Sequence, residues 1–134
     1  MARHFTPKEA NDELALIRPL VEELVARRRE QQRLAALRLD RAGKVAGNGG
    51  GLDPRAVQEE HEAEQRARVE IARCVNEIHG GGAIVKDIDQ GLVDFPAVRE
   101  GEEILLCWRL GEDEITHWHS LEEGFAGRRR LDPE

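Results

Sequence analysis

Residues Glu102–Arg128 read EEILLCWRLGEDEITHWHSLEEGFAGR. The stretch holds both tryptophans (Trp108, Trp118), one of the two cysteines (Cys107), two of the five histidines (His117, His119) and Phe125. Apolar and β-branched residues flank Gly111-Glu112-Asp113, a pattern that predicts a β-hairpin with a short loop. The other phenylalanines are Phe5 and Phe95, with no aromatic residue between them. The large rings needed for a core therefore collect here, and the rest of the chain is expected to pack against this module.

Working outward, Ala83–Val85 and Leu92–Phe95 read as short strands, the second ended by Pro96. They flank a polar turn, Lys86–Gly91, and Arg99-Glu100-Gly101 turns the chain into the hairpin. The expectation is an antiparallel meander of three to four strands. Ser120–Gly127 leaves it as a turn or short helix, and Arg128–Glu134 reads as a frayed tail.

The N-terminal part is helical. Thr6-Pro7-Lys8-Glu9 has the form of a capping box with proline at the first helical position. Ala10, Leu14, Ile17, Val21 and Leu24 recur at alternating spacings of four and three, an apolar seam. The seam passes through Arg28 and Gln31 and resumes at Leu34, so one long helix is predicted to about Arg41, bent near Ala15 by Pro19. Gly43–Leu52, GKVAGNGGGL, reads as a linker that cannot stay helical. Asp53-Pro54 starts a second helix whose apolar positions are Val57, Ala63, Ala67, Ile71, Cys74, Val75 and Ile78, ended by Gly80-Gly81-Gly82. The helices come to roughly 50 and 38 Å at 1.5 Å per residue.

The fold class is thus α+β, a single domain over 1–134. A helical hairpin (1–82, with its Gly-rich turn at 43–52) precedes a β-module and tail (83–134). Two helices alone cannot enclose a core. The free half of the seam needs either the C-terminal module or a second copy, and a homodimer is the expected solution.

Composition narrows function. The chain has 134 residues and a net charge of −7, with 4% aromatic residues and no tyrosine. An acidic chain has no global attraction for nucleic acid or anionic membranes. Arg27–Lys44 is the exception, with seven bases against two acids, whereas Ala83–Glu134 has six bases and thirteen acids. Nucleic-acid binding through Arg27–Arg41 is the weakest reading, because consecutive arginines diverge around a helix and no aromatic accompanies them. No apolar run is long enough to span a bilayer, and two cysteines in such a chain point to a reducing, cytoplasmic compartment.

Four features carry potential chemistry. His117 and His119 lie on one face of a strand, about 7 Å apart along it, a spacing that accepts zinc or a similar ion if a third ligand approaches. Glu122, Glu123, Asp94 and His79 are the candidates. If Leu110 pairs with Ile115, Trp108 faces His117 and Leu106 faces His119, and Cys107 points to the opposite face. Second, Asp94, Arg109, His119, Glu123 and Arg128 are placed to converge on one cleft that binds a small ligand or supports acid–base chemistry, against the plainer reading of salt bridges that hold the tail. Third, Lys86–Gly91 fails as a calcium loop, with Leu92 where glycine is required and Val98 where a bidentate glutamate is required. Fourth, Gly49-Gly50-Gly51 lacks the lysine and hydroxyl of a phosphate loop.

FTPKEAN (Phe5–Asn11), LIRPLVEEL (Leu16–Leu24), VKDIDQGLVDFP (Val85–Pro96) and CWRLGEDEITHWHSLEEGFAGR (Cys107–Arg128) together resemble a bacterial family of small proteins, domain-of-unknown-function family 2203. The resemblance implies that the C-terminal segment is the family's characteristic part. It carries over no activity, cofactor or catalytic residue. The first expectation is a cytoplasmic, non-enzymatic homodimer that acts as an interaction or scaffold protein for an unidentified partner. No resident cofactor is expected on that reading. The alternative is a small-ligand or metal-binding protein, or an enzyme, with its site in the β-module.

Overall fold

A computed structural model describes residues 3–48 and 53–132, with the backbone alone at 45–48. Two helices, α1 (Pro7–Asn48) and α2 (Pro54–Gly80), precede five strands: β1 (Ile84–Asp87), β2 (Leu92–Arg99), β3 (Glu102–Arg109), β4 (His117–Ser120) and β5 (Arg129–Arg130). The strands form one antiparallel sheet in the order β1-β2-β3-β4-β5. The fifth strand lies in the stretch read as a tail. It is held because Arg129 pairs with Trp118 and the Leu131 N–H donates to Thr116 O at 2.8 Å.

The helix starts follow their local chemistry. Thr6 Oγ1 accepts from the Glu9 N–H at 3.1 Å, and Glu9 Oε1 accepts from the Thr6 N–H at 2.9 Å. Asp53 caps α2 by accepting from the Arg55 N–H, with Pro54 opening the helix. α1 runs unbroken past Pro19 and beyond Arg41 to Asn48, taking in part of the predicted linker. A glycine in a helix costs only about 1 kcal/mol relative to alanine. Once α1 is nucleated, that does not stop it at Gly43, where Lys44 pairs with Asp40 at 3.1 Å. Residues 49–52, the remainder of the predicted turn, lie outside the described residues. Among the described residues no helix is long and apolar enough to cross a membrane.

The seam of α1 is covered within the chain. Ala10, Leu14, Ile17, Val21 and Leu24 are buried in one cluster with Val93, Phe95, Ala97, Ile104, Leu106 and Trp108 of the sheet and Cys74 and Ile78 of α2. Phe5 meets Phe95 edge to face at 5.4 Å, a favoured aromatic geometry. The Arg38–Glu64 and Arg41–Glu60 pairs, at 2.9 and 3.0 Å, join the helices beyond this core.

Two strand readings are corrected. β2 does not stop at Pro96 but continues to Arg99. β1 leaves β2 after Asp94, and the Pro96 carbonyl turns to that vacated side, where it accepts from the Phe5 N–H at 2.7 Å. A proline's missing donor is harmless on such an edge. The β3–β4 register also differs by one residue: Cys107 pairs with His117 and Leu105 with His119. Leu110 and Ile115 do not pair, because the Ile115 N–H is taken by Asn11 Oδ1 of α1 at 2.8 Å and the Trp108 Nε1–H by Glu112 O at 2.9 Å. A one-residue slip exchanges the faces of the neighbours, so Cys107 shares a face with both histidines.

Candidate functional site

The sheet has two covered faces. Val93, Phe95, Leu106 and Trp108 point to the helices, so by strand alternation Asp94, Cys107, His117 and His119 point the other way. That second face is covered by Leu121–Phe125, folded back over it after β4. Ser120 and Glu123 secure the fold-back reciprocally. Ser120 Oγ accepts from the Glu123 N–H at 3.2 Å, and Glu123 Oε1 accepts from the Ser120 N–H at 3.4 Å.

Three side chains meet beneath this cover. Asp94, Cys107 and His119 are 2%, 2% and 3% exposed. A carboxylate oxygen, the thiol sulfur and an imidazole nitrogen lie within 4.8 Å of one another. His119 Nδ1 is 2.8 Å from the Ser120 carbonyl oxygen. A carbonyl only accepts, so Nδ1 carries the proton. Nε2 then faces Asp94 Oδ2 at 3.1 Å. Two acceptor atoms at this distance share a proton, so in the metal-free site one proton lies between Nε2 and Asp94, beside the Cys107 thiol.

The surroundings oppose isolated charge. Burial pushes the Asp94 carboxyl above its ordinary value, partly offset by His119 and Lys86. Burial and the neighbouring Asp94 charge push the Cys107 thiol up to about 12, with Arg128 opposing. Without a cation at the centre the sulfur keeps its proton at neutral pH. That is the opposite of the depressed pKa a cysteine nucleophile needs. The imidazole is also turned to Asp94, with its other nitrogen on a backbone carbonyl, so no relay of nucleophile, base and orienting acid is formed. A cavity of about 120 Å³ adjoins the three side chains, with Lys86, Leu121, Glu123 and Phe125 in its wall.

A family model described as Uncharacterized conserved protein (DUF2203) matches residues 3–131. The chain belongs to that family. No curated protein and no solved structure shows a significant match to it. The DUF2203 match spans every residue of the centre.

Within this DUF2203 fold the predicted site residues divide into two groups. Asp94, His119 and Glu123 line the cavity together. Arg109 and Arg128 stand outside it, their guanidinium groups 5.7 and 4.2 Å from the Phe125 ring centre. Arg128 also holds Glu112, with its NH2 nitrogen 2.9 Å from Oε2, so it clamps the C-terminal segment to the β3–β4 loop. His117 does not join the three-residue group; its Nδ1 meets Thr116 Oγ1 at 2.9 Å. Burial, then the Arg128 charge, hold the His117 pKa below its ordinary value. Cys107 was the less favoured third ligand in the register assumed from the sequence. The signal that could have retained it is the alternation shared by Asp94, Cys107 and His119 once the loop is allowed seven residues, Leu110–Thr116. Elsewhere, Asp87 Oδ1 accepts from the Gln90 N–H, as expected of a turn, while Asp89 takes Arg28 and Gln32 of α1. Arg28, Arg33, Arg38 and Arg41 are all in ion pairs within the chain.

Proposed function

We propose that the chain is a metal-binding protein that holds one divalent transition ion, of the zinc type, through Asp94, Cys107 and His119 Nε2. The observation that carries this reading is the His119 ring. Its Nδ1–H is donated to a backbone carbonyl, which is how a metal-ligating histidine is commonly oriented. Its other nitrogen, Nε2, faces a carboxylate and a thiol in a buried space. One oxygen, one nitrogen and one sulfur donor suit zinc. Tetrahedral bonds of about 2.0–2.3 Å place ligand atoms about 3.3–3.6 Å apart. The present separations, from 3.1 Å for the His119–Asp94 contact up to no more than 4.8 Å, reach that geometry by side-chain adjustment. The ion would displace the Cys107 proton and the proton shared by His119 Nε2 and Asp94, and would balance the thiolate and the carboxylate, relieving the cost of burying both.

The test is cobalt(II) titration of chelator-treated protein. The expected result is one equivalent bound with a near-ultraviolet thiolate-to-cobalt band, absent in Cys107→Ser and His119→Ala variants that keep the wild-type circular dichroism. A wild-type protein that gives no band, or variants that give the same band, would overturn the reading.

A second reading, a cytoplasmic homodimer acting as a scaffold, is supported by the distal hairpin. The core-facing half of the α1 seam is covered by the sheet, but Leu37, Leu39 and Val57 are 44%, 70% and 40% exposed. Of these, Val57 lines a groove of about 240 Å³ whose wall carries Arg38 and Arg41 from α1 and Glu60 and Glu64 from α2. A patch with both signs is self-complementary about a two-fold axis. Glu60 Oε1 and Glu64 Oε1 are buried without a hydrogen-bond partner among the described residues. Two free, buried thiols are compatible with the cytoplasm. Light scattering at micromolar concentration should give twice the chain mass, and Leu37→Glu should halve it; a wild-type monomer would end this reading.

A further inference from the structure

We propose that the metal centre is an open site which takes a small monoanion, of the size of formate, acetate or bicarbonate, as an exchangeable ligand bound between the ion and Lys86. This rests on the metal reading above.

Three observations support it. First, among the described residues three donors converge, not the four of a closed structural site, and a site with three protein ligands keeps a position for water or substrate. Second, the space beside the donors is a cavity shared by Asp94, Cys107 and His119 with Lys86. At about 30 Å³ per water, its volume of about 120 Å³ holds roughly four waters. That is room for a one- or two-carbon anion. The remaining wall is largely apolar, with Leu92, Leu105, Leu121 and Phe125, so a guest meets few competing hydrogen bonds.

Third, the charges count in favour of an anion. A divalent ion balanced by one carboxylate and one thiolate leaves the centre neutral. Among the described residues Lys86 makes no salt bridge, and it lines the same cavity as Asp94. The other charged residue of the wall, Glu123, is committed to Ser120 and to Arg129, the latter at 3.4 Å. A monoanion would thus complete both the coordination shell and the charge of the cavity. Lys86 lies on β1 with its side chain reaching from an exposed position, so it can follow a ligand in without unfolding the strand.

The experiment uses the full chain loaded with cobalt(II) in a non-coordinating buffer, titrated with sodium formate, acetate and bicarbonate. The visible cobalt bands should shift to a saturable end point at one anion per ion. Lys86→Ala should weaken anion binding about tenfold or more, the scale of a lost hydrogen bond to a charged group, and Lys86→Glu should abolish it. Lys86→Ala should still bind one equivalent of cobalt. Cobalt bands that millimolar anion leaves unmoved, or a Lys86→Ala variant with unchanged anion affinity, would overturn the anion site while leaving the metal reading intact. A chain that binds no cobalt overturns both.

Discussion

Cys107 is the residue on which the account turns. Its thiol is buried and pushed up to about 12, chiefly by desolvation. In metal-free, folded protein it should resist alkylation at pH 8, as should the buried Cys74, whose pKa burial also raises. Iodoacetamide labelling followed by mass spectrometry should show two modified cysteines only after denaturant is added; fast native labelling at Cys107 would mean an accessible thiolate. Nearby, Glu112 supplies a pH-dependent contact. Burial pushes its carboxyl up, but Arg128 and the Arg109 N–H pull it below the ordinary 4.5. A lowered folded pKa contributes stability above the unfolded value, and that stability is lost as pH falls through the folded value. The urea-midpoint difference between wild type and Arg128→Ala, about 1 kcal/mol or less for a partly solvated pair, should therefore be full at pH 6–7 and shrink below about 4.5. A difference that stays constant from pH 7 to pH 3 would show that Arg128 acts by packing on Phe125 alone.

At the scale of the elements, local chemistry was legible in the sequence and distant chemistry was not. The Thr6–Glu9 capping box could be read because all its partners lie within one helical turn. Thr6→Ala should cost about 1 kcal/mol in urea unfolding. The length of β2 and the β3–β4 register could not be read, because each depends on a group from the N-terminal segment: the Phe5 N–H at Pro96, and Asn11 at Ile115. Moving that register by one residue was enough to put Cys107 on the wrong face, and with it went the composition of the site. Asp94 and His119 were singled out as polar residues of the module, but that they meet is a consequence of the sheet. Gly91 shows the same coupling. Its φ of +66° already favours glycine, and an added Cβ would sit 2.7 Å from Leu110 Cβ. Gly101, at φ +80°, opens on empty space. Gly91→Ala should therefore destabilise more than Gly101→Ala, by about 1–3 kcal/mol against about 1. Equal urea midpoints for the two variants would contradict the contact between the β1–β2 turn and Leu110.

Across the whole molecule, stability and function divide along the helices. The sheet and the half of the hairpin lying on it share one core, and the proposed metal centre lies on the opposite face of that sheet, beneath the C-terminal segment. The distal hairpin contributes little to that core and is joined largely by arginine–carboxylate pairs. Its amides around Arg38 and Glu60 should exchange with deuterium faster than those around Val21 and Cys74 in a monomer. Equal protection along the hairpin would indicate a covering partner. The same division separates the proposed metal centre from the distal end, whichever way that end assembles. Native mass spectrometry of untagged protein, stripped with chelator and then given one equivalent of zinc, tests the central claim most directly. The account predicts one zinc per chain in wild type and none in a Cys107→Ser, His119→Ala double variant that retains its fold. Zinc absent from wild type, or retained by the double variant, would contradict it.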